Sequence, residues 1–164
     1  MKKENVIESC YSVLRKVTPL QIDCGKICKG KCCKGDGKTG MLLFPGEEKL
    51  IDPRITIMKN EKGDSVAVCD GTCDRNKRPL ACRIYPLFPL INKDEGNEYI
   101  EAVFDRRADC PLVDGEYEIT RCFSKAVKRA GKYLLLNSET EKYYRELSDE
   151  IQEYIALEKI LKNT

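Results

Sequence analysis

Apolar residues recur at helical spacing near both ends of the chain. Close to the N-terminus they predict a helix over residues 4–17, which ends just before a proline. In the C-terminal third they predict two further helices, the second beginning at Ser138 with Glu141 three residues on as a capping box. Free cysteine packs as a small hydrophobe, so we place Cys10 and Cys122, which lie on these apolar stripes, in the core. The stripes contain Val6, Ile7, Cys10, Val13, Leu14 and Val17, then Ile119, Cys122, Phe123, Ala126, Val127, Ala130, Tyr133 and Leu134, and then Tyr143, Leu147, Ile151, Tyr154, Ile155 and Leu161.

Short apolar runs separated by polar turns occupy the middle of the chain. Residues 41–44 predict a strand, and Pro45 followed by acidic residues predicts a brief helix through Ile51. Two β-hairpins are expected next, each around a polar turn that contains glycine. Their paired runs are residues 55–58 with 66–68 and residues 87–91 with 99–104.

These elements together predict an α+β fold, with β-hairpins flanked by N- and C-terminal helices. No internal repeat, low-complexity tract or long linker divides the sequence, so we expect residues 1–164 to form a single domain. Within that domain we expect residues 24–110 to form a small cysteine-rich metal-binding core and residues 116–162 to form a helical C-terminal part.

Cysteine is the most informative residue type, because the 164 residues include ten cysteines and no histidine. Eight of them form an ordered series through the middle of the chain. Five glycines between positions 25 and 40 predict short turns in the first cysteine run and disfavour a sustained helix. A metal site built without imidazole must use sulfur, which selects zinc, Cu(I) or iron–sulfur clusters. The candidate ligands are Cys24, Cys28, Cys32, Cys33, Cys69, Cys73, Cys82 and Cys110.

Disulfide bonds are the alternative use of so many thiols, and the expected compartment decides between the two. The first 14 residues do not resemble an export signal, since Glu4 and Glu8 interrupt any apolar run. No stretch approaches the ~20 apolar residues of a membrane span. With 41% hydrophobic residues the chain can bury a core without covalent staples. We therefore expect a cytoplasmic protein that binds metal and does not enter a membrane.

The cysteine spacing excludes several common motifs. A zinc ribbon would show two CxxC knuckles, and these are absent. The radical-enzyme motif needs a third thiol where Lys31 stands, and the chain is shorter than the ~200 residues of a (β/α) barrel. Bacterial ferredoxin spacing is also absent, although Cys110 and Pro111 repeat its final dipeptide. This spacing therefore disfavours a self-contained radical enzyme.

The net charge of +2 says little, but basic residues cluster around the cysteines. Five lysines thread the first cysteine run, and further cations flank the second. One interpretation is local compensation, because cations beside thiolates lower thiol pKa values and stabilise the site. The other is a surface for an anionic partner such as nucleic acid or a phosphorylated cofactor. No aromatic residues are interleaved for base stacking, so we favour compensation and expect no nucleic acid.

The ordered series CGKICKGKCC, LFPGEE, CDGTCDRNKRPLACRIYP and a late cysteine resembles the YkgJ-like cysteine-cluster family. Members of that family are described as zinc- or iron-chelating domains. The resemblance covers about residues 24 to 110 and implies that all eight cysteines of the series bind metal. It also implies that Arg78, Pro79, Arg83 and Pro86 frame Cys82. Some relatives form part of flagellin lysine N-methylases, an activity we do not transfer to this chain.

We expect Arg78 and Arg83 to support the ligands of the metal site without binding the metal themselves. Arg83 follows Cys82 directly and is placed to donate hydrogen bonds to a thiolate or to neutralise it. Ordinary surface salt bridging is the alternative for both arginines. Eight thiols suffice for two four-sulfur sites, or for one site with spare sulfurs.

The sequence thus supports two main functions. The preferred one is an iron–sulfur protein with a redox or enzyme-associated role and an unidentified protein or redox partner. The alternative is a zinc-stabilised structural or interaction module without catalysis. Thiol–disulfide exchange is disfavoured, because the adjacent Cys32 and Cys33 lack CxxC spacing and no histidine can act as a base.

Overall fold

The computed structural model describes residues 1–33, 37, 40–71, 73–107, 110–115 and 117–162, without the side chain of Cys33. Within these ranges the chain forms six α-helices, five strands and two short 3₁₀ turns, and this mixture is that of the predicted α+β class. The helices are α1 (Lys3–Leu14), α2 (Gly25–Cys28), α3 (Leu80–Ile84), α4 (Pro111–Asp114), α5 (Arg121–Leu134) and α6 (Ser138–Lys162). The strands are β1 (Met41–Leu42), β2 (Thr56–Lys59), β3 (Ser65–Val68), β4 (Leu87–Asp94) and β5 (Asn97–Phe104). The 3₁₀ turns are Lys31–Cys33 and Arg75–Lys77.

Helix α1 packs against helix α5 through the predicted apolar stripes. Cys10 is fully buried between them, and its Sγ donates to the carbonyl of Ala130 at 3.4 Å. The core position predicted for Cys10 is therefore confirmed. Helix α1 ends at Leu14, earlier than predicted, and the chain turns at Arg15. Burial of this shared face stabilises both helices more than their intrinsic propensity does.

The second predicted hairpin is confirmed and is longer than expected. Strands β4 and β5 pair from Leu87 opposite Phe104 to Asp94 opposite Asn97. Glu95 and Gly96 have positive φ angles of 46° and 86°, which a two-residue turn needs to match the twist of its strands. The tight turn lets pairing continue to the hairpin tip.

Helix α6 packs across strand β4. Its Ser148 Oγ accepts a hydrogen bond from the Ile91 amide at 2.9 Å, and its Gln152 side chain donates to the Ile91 carbonyl at 2.6 Å. The buried Tyr144 hydroxyl donates to the carbonyl of Pro89. These side chains satisfy backbone groups that would otherwise be buried without partners. No helix among the described residues is long and apolar enough to span a membrane.

The first predicted hairpin is also confirmed and forms part of a three-stranded antiparallel sheet. Strand β3 lies in the middle, with β1 on one side and β2 on the other. Gly40 lies very close to strand β3, since a Cβ atom at this position would be 2.2 Å from the carbonyl oxygen of Ala67. A small hydrophobic cluster packs on the sheet and consists of Leu43, Ile51, Ile55 and Ala67.

The helix predicted from Pro45 through Ile51 is wrong. The structure shows a series of turns there. Gly46 has a φ of 89°, which belongs to the left-handed region and interrupts an α-helix at its first turn. Glu47 follows with its side chain turned inward, where its Oε2 accepts a hydrogen bond from the Phe44 amide at 2.9 Å.

Two details of the C-terminal helices also differ from expectation. Helix α6 is capped by Asn137, whose side-chain oxygen accepts from the amides of Glu139 and Thr140, and the predicted Ser138 cap is wrong. Cys122 is exposed, so its predicted core position is wrong. It lies in the first turn of α5, about 100° around the helix from the fully buried Phe123.

Candidate metal centre

Five cysteines from three separate segments line one cavity of about 570 Å³. The first three come from the segment around α2, one comes from α3, and the last immediately precedes α4. The five are Cys24, Cys28, Cys32, Cys82 and Cys110. Sulfur atoms that are distant along the chain thus face a common space.

The first cysteine segment is folded as short turns, as its glycines predict. Helix α2 begins where the Asp23 carboxylate accepts a hydrogen bond from the Gly25 amide at 3.0 Å. It ends at Lys29 and Gly30, which have φ angles of 54° and 68° in the left-handed region. These two residues reverse the chain, and Cys32 returns to the same cavity in the following 3₁₀ turn.

The thiols in the cavity influence one another electrostatically. The pKa of Cys24 is raised, first by burial and then by the neighbouring thiol of Cys28, by Asp23 and by Cys110. Tyr85 also lines the cavity. Burial and the nearby thiols of Cys110 and Cys32 raise the pKa of its hydroxyl. Binding of a metal ion would supply the positive charge that releases protons from such thiols.

Both arginines predicted to support the site line the cavity together with Cys82. Arg83 donates through Nε to the carbonyl of Arg78 at 2.8 Å and through Nη2 to the carbonyl of Asn76 at 2.5 Å. Its hydrogen bonds to the backbone fix a positive charge in the lining of the cavity. Burial lowers the pKa of Arg83, and Arg78 is one of the neighbouring cations that lower it further.

A buried polar network behind this wall was not predicted from the sequence. Tyr11 stacks under the Arg83 guanidinium, and its hydroxyl donates to Oε1 of Glu47 at 2.6 Å. The same oxygen accepts from the Leu80 amide at the start of α3. Burial raises the pKa of Glu47 to about 7, although its hydrogen bonds oppose the change. Glu47 lies in the LFPGEE sequence, whose proline and acidic residues predict a helix start and not a buried carboxyl group.

The remaining cysteines of the predicted set are placed differently. Cys69 and Cys73 are absent from the cavity lining and pack against the small cluster on the three-stranded sheet. The backbone of Cys33 belongs to a 3₁₀ turn, but its side chain lies outside the described residues. The structure therefore brings five of the eight predicted ligands to one place and two to another.

The chemistry of the cavity donors fits a thiophilic metal. The nine cysteines with described side chains are all free thiols. In the part of the lining that the structure describes, one carboxylate, that of Asp23, accompanies the five cysteines. Within the described ranges no three cysteine or acidic side chains are close enough together to form a coordination shell. The five thiols thus line one cavity but do not converge on a single coordination point.

Comparison with known proteins adds no relative. No protein-family model matches the chain, and neither the curated proteins nor the solved structures contain a match. The site is interpreted from its own residues.

Proposed function

We propose that this protein is a cysteine-ligated metal protein with its centre in the five-thiol cavity. The observation that carries the proposal is the convergence of Cys24, Cys28 and Cys32 with Cys82 and Cys110 on one cavity. Four thiolates suffice for either a tetrahedral zinc site or an iron–sulfur cluster. The surplus of thiols and the absence of histidine favour the cluster, with a redox or enzyme-associated role and a protein or redox partner.

The chain's own residues have distinct parts in this proposal. A four-sulfur centre would take its ligands from the five cavity thiols, and Arg78 and Arg83 would offset the negative charge of the thiolates. Tyr85 lies with Cys110 in the cavity lining, and a hydrogen bond from its hydroxyl to that sulfur would tune the electron density of the ligand. An iron–sulfur cluster supplies one-electron redox chemistry when bound.

Cys33, Cys69 and Cys73 complete the eight-cysteine set that the resemblance implies. Since Cys69 and Cys73 pack on the small cluster and not around the cavity, we assign them to a second thiol group. The supporting observation is that both cysteines pack against the same small hydrophobic cluster. The cavity centre would then be complete without them.

Metal content of the purified protein tests this proposal. The protein should be prepared without oxygen, and iron, acid-labile sulfide and zinc should be quantified per chain. The iron–sulfur assignment predicts stoichiometric iron and sulfide with broad visible absorption. Stoichiometric zinc in a colourless preparation would replace it by the structural zinc module. A folded protein without either metal would reject both.

A further inference from the structure

The cavity that gathers the thiols also gathers positive charge. Among the described residues, five cationic side chains line it, against the one carboxylate of Asp23. That carboxylate is engaged by Arg75 at 3.2 Å and by the Gly25 amide at 3.0 Å. The five cations are Arg15, Lys16, Arg75, Arg78 and Arg83.

Three of these guanidinium groups are neighbours. The charges of Arg15 and Arg78 both act on Arg83, although the three come from two distant parts of the chain. Arg83 is fixed by two backbone carbonyls, so its charge is in place before any ligand binds. Arg15 and Lys16 follow helix α1 and stand exposed at the rim. The cations therefore run from the rim of the cavity to its half-buried wall.

The thiol centre does not account for all of this charge. Four thiolates on a divalent metal carry a net charge of about −2, which two of the five cations balance. A single zinc ion bound about 2.3 Å from each sulfur would occupy only a small part of the space, and an iron–sulfur cluster would occupy more of it. The cavity of about 570 Å³ lies within the range of about 300–1,000 Å³ that is typical of small-molecule sites.

We infer that this cavity binds a small anionic molecule through a carboxylate or phosphate group, held by Arg15 and Lys16 at the rim, beside the thiols and the arginines that offset them. Guanidinium groups match both oxyanions, because their planar N–H groups can donate two parallel hydrogen bonds. The inference rests on the proposed metal centre for the identity of the neighbouring group. The bound anion would be a substrate or regulator of that centre.

Titration calorimetry with inorganic phosphate and, separately, with succinate tests the inference at low ionic strength. The double variant Arg15→Gln/Lys16→Gln removes two exposed rim charges and should weaken binding by at least about tenfold. Lys128→Gln/Arg129→Gln removes the same charge from exposed positions on α5 outside the cavity, and it should bind as the wild type does. Preference for phosphate would identify a phosphorylated ligand, and preference for succinate a carboxylate.

Three results would overturn the inference. The wild type would bind neither anion, both double variants would weaken binding equally, or Arg15→Gln/Lys16→Gln would lose its metal while remaining folded. The last result would show that the rim cations serve only to balance the thiolates. Metal content is measured on the same samples, so a metal-free wild type that still binds phosphate would reject the metal centre alone.

Discussion

The guanidinium of Arg83 lies 3.8 Å from the centre of the Tyr11 ring. This stack connects the residue after Cys82 to helix α1, and the Tyr11 hydroxyl extends it to Glu47, which is 0% exposed. Glu47 also accepts a hydrogen bond from the amide of Leu80, two residues before Cys82. The position of one candidate ligand is therefore set by a polar network inside the core.

The buried Glu47 carboxyl predicts a pH dependence of stability. Burial raises its pKa to about 7 from the ordinary 4.5, so the folded protein holds this proton more tightly than the unfolded chain does. The contribution of Glu47 to the free energy of unfolding is most favourable below about pH 4.5. It falls by about 3 kcal/mol as the pH rises to about 7. Chemical denaturation of the wild type and of Glu47→Gln across this range measures the effect.

The difference between the two proteins isolates Glu47, because other carboxyl groups titrate in both. Relative to the variant, the wild type should lose stability from pH 4.5 to 7 and change little above that. A difference that is constant from pH 4 to 8, or a wild type that gains stability against the variant as pH rises, would contradict the assignment.

Replacement of Arg83 tests whether this residue stabilises metal binding without being a ligand itself. Replacing it by Gln removes the fixed charge beside Cys82 and the stack on Tyr11, so metal affinity should fall about 10–100-fold. Competition with a chelator gives the affinity. Arg129→Gln removes an exposed guanidinium on α5 and should leave the affinity unchanged. Equal affinities for the two variants would reduce Arg83 to an ordinary surface cation.

Gly131 on helix α5 should resist replacement even by alanine. A Cβ atom there would lie 2.7 Å from the Tyr144 hydroxyl and 2.8 Å from Cβ of Pro89. Because Tyr144 and Pro89 are joined by a buried hydrogen bond, neither can move away freely. Overpacking of this kind outweighs the gain in helix propensity, and Gly131→Ala should lower the free energy of unfolding by about 1–2 kcal/mol.

The exposed neighbour Lys132 is the control for Gly131, since Lys132→Ala changes the same helix without entering the core. Its stability should stay within about 0.5 kcal/mol of the wild type in denaturant titrations. A stabilised Gly131→Ala would show that helix propensity dominates at this position.

The separate position of Cys69 and Cys73 predicts two independent thiol groups. The double variant Cys69→Ser/Cys73→Ser should keep the metal of the cavity centre, while its stability falls because two thiols leave the small cluster. Metal analysis and thermal unfolding measure the two effects. Complete loss of metal from this variant would place all the thiols in one centre.

Local patterns predicted most of the fold. The apolar stripes predicted α1, α5 and α6, because each of these helices buries one periodic face, and the short apolar runs around glycine-containing turns predicted both hairpins. The helix predicted from Pro45 does not form, because Gly46 adopts a left-handed conformation. The proline and acidic residues that favour a helix start give no sign of this conformation. The core position predicted for Cys122 was wrong because an apolar stripe does not show how much of its edge other elements cover.

The candidate site was predicted less completely. Motif spacing selected Cys24, Cys28, Cys32, Cys82 and Cys110, which the structure gathers around one cavity. No local pattern links Tyr11 with Glu47, which are 36 residues apart. Arg15 and Lys16 look like ordinary residues at a helix end until α3 is packed beside them. Such partners depend on tertiary contacts.

The most direct test of the central claim is metal content compared between cysteine variants purified without oxygen. The double variants Cys24→Ser/Cys28→Ser and Cys82→Ser/Cys110→Ser each leave three cavity thiols, too few for a four-sulfur site, whereas Cys122→Ser changes an exposed thiol outside the cavity. We predict stoichiometric metal in the wild type and in Cys122→Ser, and loss of most of it in each double variant. Full metal occupancy in all three variants, or none in the wild type, would contradict a metal centre in this cavity.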